Sequence, residues 1–207
     1  MMKQIITALA FAAVLVPAAN AHELVQSAKY PGLEGHMDGG YFRPTGVEGP
    51  AVPNADEIFA FIQAHSPKHT GLHPEAGEDI YTIDGIELPV VRYLNEEQME
   101  IFVGPGMGEE VALYEEGYMY LNPNIDFSND EDLSVYVHEL VHHVQWFSGE
   151  NEEAHYQSCP MHLERDAYRI QLAWMETADV SDDWVYNMQL NKEIQGSTLC
   201  YADRPFG

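Results

Sequence analysis

Basic residues are scarce in this chain: 9 Lys and Arg stand against 34 Asp and Glu in 207 residues, a formal net charge of −25. A surface of that sign repels the phosphates of nucleic acid and of anionic lipid, so neither is an expected partner. Cysteine is nearly absent, with only Cys159 and Cys200. Neither has a second cysteine at ligand spacing, which excludes a cysteine-rich zinc site. Beyond the first 21 residues no apolar run approaches the roughly 20 residues that a membrane-spanning helix needs. The Gly-rich stretch 104–108 has no Lys-Ser/Thr after it and so is not a phosphate loop.

What is present begins with a secretory signature. Lys3 supplies a positive start, 5–16 is an apolar run, and Ala19-Asn20-Ala21 is a small-x-small cleavage site. Residues 1–21 therefore read as a signal peptide, and the mature chain from His22 is expected in the periplasm or outside the cell, with no stable membrane insertion. In such a compartment the two cysteines read as a Cys159–Cys200 disulfide. The bridge would close a loop of about 40 residues, worth about 4 kcal/mol by chain entropy. Residues 22–207 suit one domain with its own core.

Within it, 22–53 is rich in Gly and Pro and is expected to be an irregular arm. Asn54 is placed to cap a helix over 55–65, and Asn95 another over 96–103. Residues 86–94 suit an edge strand because of Pro89. Segments 111–114 and 118–121 read as a hairpin. Helices are expected over 129–147, 159–177 and 181–194. The fold class is α+β, with a small sheet over the 129–147 helix and two further helices after it.

Chemistry concentrates in His138-Glu139-Leu140-Val141-His142. On a helix, positions four apart differ by about 40° and one turn, so both imidazoles face one way and can share a metal ion. Glu139 points elsewhere and can reach a water rather than the ion. Leu133, Tyr136, Val137, Leu140, Val144 and Phe147 form the opposite, core-facing stripe. Catalytic zinc usually takes a third protein ligand. The continuation that would supply a third histidine is closed, because Gln145 and Ser148 occupy its positions. Glu164 on the next helix is the candidate, sharing a face with Ala167, Tyr168, Gln171 and Met175; His162 and Asp166 are its rivals. Tyr168 or Gln171 could orient a ligand from behind.

These residues, His138-Glu139-Leu140-Val141-His142-His143 with Gln145 and then Glu164-Arg165-Asp166-Ala167-Tyr168 with Gln171, resemble the gluzincin-type zinc metallopeptidases, nearest to a group of small exported bacterial metallopeptidases. The likeness covers about 111–178. It implies a zincin-like fold, one Zn2+ held by His138, His142 and Glu164, and Glu139 as general base in peptide hydrolysis. It also implies an edge strand beside the active helix along which a peptide or protein substrate lies, the place occupied by 118–121. Many gluzincins carry Asp where this chain has Tyr168. Oxyanion donors would come from His155, Tyr156, Tyr168 or Tyr186.

Other histidines read more plainly. His143 falls toward the core side and is expected to be structural, whereas His65, His69 and His73 are separated by Pro67 and Gly71 and belong to a loop. An amino-terminal His22 has no supporting copper pattern. The acids between 126 and 132 suit the positive end of a helix rather than calcium. Two other readings stand beside the peptidase: a zinc-binding module without turnover, and a peptidase-like scaffold that binds a partner through its acidic surface.

Overall fold

Two small sheets and four helices make a mixed α+β architecture in the computed structural model, which describes residues 25–26, 29–67, 80–105, 112–149, 161–178, 180–181 and 184–185. The signal segment, the two cysteines, the 181–194 helix and His22, His69 and His73 lie outside these residues or nearly so. No helix among the described residues is long and apolar enough to cross a membrane.

The 22–53 stretch is not the irregular arm expected from its composition. It carries β1 (Val25–Gln26), β2 (Glu34–Asp38) and β3 (Tyr41–Pro44), an antiparallel sheet in the order β1-β2-β3. The strands are short and weakly alternating, so glycine and proline mask them. Helix α1 (Asp56–Ala64) follows; its N-cap is Ala55, without a side-chain cap bond, and not the expected Asn54, which sits one residue earlier and accepts from the Asp56 amide at 3.1 Å. Its apolar side buries Ile58, Phe59 and Ile62.

The second sheet has the order β4-β6-β5, from β4 (Val90–Tyr93), β5 (Ala112–Glu115) and β6 (Tyr118–Leu121). β4 takes the edge place that Pro89 requires, since proline has no amide to give a ladder. β6 runs parallel to β4 and antiparallel to β5. It is paired on both sides and is therefore not the expected edge strand; the strand on the helix side of the sheet is β5. A two-residue turn joins β5 to β6. Glu116 and Gly117 both have positive φ, 47° and 85°, the combination that matches a turn to the twist of its strands.

The sheet divides two cores because side chains alternate along it. Met119 and Leu121 face α1 and α3 (Asp130–Phe147), while Tyr120 faces Leu33, Phe42 and α2 (Glu96–Val103). Asn95 and Gln98 form a reciprocal capping box on α2. Asn129 caps α3 by accepting from the Glu131 amide at 2.8 Å, and three acids fill its first turn. Asp126 accepts from the Ser128 amide and hydroxyl, and Asp132 accepts from the Asp126 amide, so this acidic run closes the helix start. The core stripe of α3 buries Tyr136, Val137, Leu140, Val141 and Val144, but Leu133 is only partly buried and Phe147 is exposed at the last turn. Helix α4 (Met161–Met175) packs chiefly against α3, with Ala167, Gln171 and Met175 buried on the face shared with Glu164.

Candidate metal centre

Helical spacing stacks His138 and His142 one turn apart on α3, and their Nε2 atoms stand 3.1 Å from each other. Glu164 reaches across from α4. Its Oε2 is 3.3 Å from His138 Nε2, and its Oε1 is 3.3 Å from His142 Nε2. Among the described residues this is the group of three or more potential ligands close enough to hold one metal ion. Asp166, one rival for the third place, turns instead toward Arg165 and Arg169 at 3.9 and 3.8 Å. The His162 side chain lies outside the described residues, as do His155, Tyr156 and Tyr186.

Hydrogen bonds behind the rings decide what the Nε2 atoms offer. Leu163 presents a carbonyl, which can only accept, and the Gln145 amide nitrogen donates to it at 2.9 Å. The Gln145 oxygen is thereby left facing His142 Nδ1 at 2.8 Å, so that nitrogen carries the proton. On His138 the order is the same. Ser134 Oγ donates to the Glu131 carbonyl and accepts from the Gln171 amide, and the Gln171 oxygen accepts from His138 Nδ1 at 3.0 Å. Both Nε2 atoms then carry lone pairs aimed at one point that a carboxylate also faces. Three acceptors this close repel one another unless a cation sits among them.

A zinc ion fits this donor set. Ligand atoms at about 2.0–2.2 Å and tetrahedral angles stand about 3.3–3.5 Å apart, against the 3.1 and 3.3 Å found here. Two neutral imidazoles and one carboxylate leave the ion a net positive charge. With His142 protonated instead, burial opposes the charge, but the hydrogen bond and charge of Glu164 outweigh it and raise its pKa to about 9. Burial alone would raise the Glu164 carboxyl, yet the two histidines pull it well below the usual carboxylate range.

Glu139 is 8% exposed. The Tyr114 backbone on β5 lies near enough to favour the charged form of the Glu139 carboxyl. Burial pushes this carboxyl up, and the Glu164 charge adds to the effect; His138, His142 and the Tyr114 backbone act against it. Tyr168 lays its ring against His138, 4.5 Å between centroids. Tyr168 thus walls the His138 ring, and Gln171 makes the bond to that histidine.

His143 is structural, as its position on the helix implied. Its Nε2 donates to the Glu87 carbonyl at 2.6 Å and its Nδ1 meets the Tyr114 hydroxyl at 3.1 Å, with burial lowering its pKa. The Tyr114 hydroxyl also accepts from the Gly117 amide at 2.6 Å, so the hairpin and α3 are bolted together beside Glu139. His65 bonds the Phe61 carbonyl in its own helix. Sequence reasoning missed the parts played by Ser134 and Gln145. Spacing could have found both, since Ser134 lies four residues before His138 and Gln145 three after His142.

No curated protein and no solved structure matches the chain. A family model described as a domain of unknown function (DUF6647) matches residues 86–194, a span that takes in β4 to β6, α3 and α4. The chain, with the three converging side chains inside the matched region, belongs to that DUF6647 family.

Proposed function

We propose that this protein is an exported zinc-dependent peptidase on a zincin-like fold, in which His138, His142 and Glu164 hold one Zn2+. The observation that carries the reading is the convergence of two lone-pair-bearing imidazoles and a carboxylate next to a buried Glu139. Bound there, zinc would supply Lewis-acid polarisation of a substrate carbonyl and lower the pKa of water toward neutrality.

Glu139 acts as general base, taking a proton from the attacking water and delivering it to the leaving amine. Burial of Glu139 favours the neutral form that it adopts between the two transfers. Strand β5, the outer strand of this sheet among the described residues, would pair with an extended peptide in place of the interior β6. Tyr168, beside His138, is the oxyanion donor that the described residues offer.

A zinc-binding module without turnover fits less well. Burying the Glu139 carboxylate costs desolvation energy, and binding alone gains nothing from it. Metal analysis of the purified mature protein should return about one zinc per chain. A peptide pool should be cleaved by that material and spared once a chelator is added. Absence of zinc, or cleavage that chelation leaves untouched, would overturn the reading.

A further inference from the structure

Two glutamines link the metal helices in opposite directions. Gln145 belongs to α3 and reaches α4, donating to the Leu163 carbonyl at 2.9 Å while accepting from His142 Nδ1 at 2.8 Å. Gln171 belongs to α4 and reaches α3, donating to Ser134 Oγ at 3.1 Å while accepting from His138 Nδ1 at 3.0 Å. Both side chains are buried, 1% and 2% exposed. Each histidine therefore has its own clasp, and each clasp crosses the helix seam.

The two clasps differ in what the donating end grips. Gln171 ends on a hydroxyl, which can rotate to donate or accept. Gln145 ends on a backbone carbonyl, which cannot. That carbonyl belongs to Leu163, whose peptide bond leads directly into Glu164. Gln145 thus touches the supports of two ligands at once: the ring of His142 and the main chain that carries the carboxylate. It also donates to the Tyr81 hydroxyl at 2.9 Å, which fixes the amide in place.

We infer that Gln145 and Gln171 are positioning residues that build the cation site in advance, Gln171 by orienting His138 alone and Gln145 by orienting His142 and setting the place of Glu164. The inference rests on the zinc reading given above. Neutral amides do this without adding negative charge behind the rings, so the site keeps the charge of its ligands.

The asymmetry between the clasps gives the test. Glu is isosteric with Gln and keeps an acceptor for the histidine, but it has no N–H to donate. At 171 the Ser134 hydroxyl can turn from the Glu131 carbonyl, its present acceptor, and donate to the carboxylate. At 145 the carboxylate would face the Leu163 carbonyl, acceptor against acceptor, and push the start of α4 away. Zinc affinity of the full-length mature chain is measured by competition with a chromophoric chelator. The absorption of bound Co2+ reports coordination geometry, and melting in chelator reports folding. Q171L should weaken zinc about 10–100-fold, the range for lost outer-shell bonds. Q171E should recover most of that affinity and the wild-type Co2+ spectrum, whereas Q145E should lose affinity over the same range and change the spectrum. Q145E binding zinc like wild type, or Q171E no better than Q171L, would overturn the inference. A fall in melting temperature with zinc affinity unchanged would also overturn it, since the residues would then be structural only. If the wild-type chain itself fails to bind zinc, the zinc reading falls first.

Discussion

The two sides of the β4-β6-β5 sheet are built on different chemistry. On the side of β2, β3 and α2 the core is Leu33, Phe42, Leu94, Met99, Phe102 and Tyr120, held by packing. Its buried charge, Arg43, is clasped by Glu115 at 2.7 Å and Glu116 at 3.5 Å, both half-exposed, and lies over the Tyr118 ring. On the other side, α3 and α4 bury Ser134, His138, Gln145, Asp166 and Gln171, with Glu139 and, against β5, His143 buried as well. Buried polar groups cost stability unless each finds a partner. Here His138, Gln171 and Ser134 form one chain that ends on the Glu131 carbonyl, and Gln145 ends another on the Leu163 carbonyl. The difference teaches where the molecule spends stability on something other than folding, and that place is the proposed metal centre.

Substitutions should separate the two sides. The largest effect is expected from His142→Ala or Glu164→Gln, which should weaken zinc by more than the roughly 100-fold upper range for outer-shell losses, as read by isothermal titration. Met99→Ala, in the fully buried apolar core, should instead cost about 2–5 kcal/mol in denaturant unfolding and leave one zinc per chain. If Met99→Ala abolished zinc binding while the chain remained folded, the two sides would not be separable.

Acidity sharpens the contrast next. Glu139 has its folded pKa raised above the ordinary 4.5, chiefly by burial. The folded state then favours the protonated carboxyl. Its contribution is complete below pH 4.5 and is lost as pH rises through the higher folded value. In chelator, Glu139→Gln should therefore melt higher than wild type at pH 8, with the gain shrinking toward pH 4. A gain that grew with acidity would reverse the sign and refute the burial argument. The smallest effect is expected at Arg43→Met, about 1 kcal/mol, because Glu115 and Glu116 can rehydrate when the cation goes. Equilibrium unfolding checks it, and zinc binding should not change.

Much of the seam was legible along the chain because helices write themselves locally. The 3.6-residue period set α3 within a residue, Asn95 marked the cap of α2, and the shared face of Glu164, Ala167, Gln171 and Met175 followed from spacing alone. Sheet order was not legible. β4 pairs with β6 in parallel across α2 and β5, a long-range choice that neither segment's pattern encodes, so β6 was expected at an edge it does not occupy. The strands at 34–38 and 41–44 were hidden by glycine and proline, since two-residue turns and short edges use the same residues as loops. Gln145 escaped notice for a related reason. Its bond to His142 is local, but its meaning depends on Leu163, 18 residues further on.

One comparison tests the central claim most directly: cleavage of a peptide pool by wild type and by Glu139→Gln, each loaded with zinc and assayed for zinc content. The account predicts equal zinc in both and turnover in wild type alone. Equal cleavage by the two proteins would contradict it.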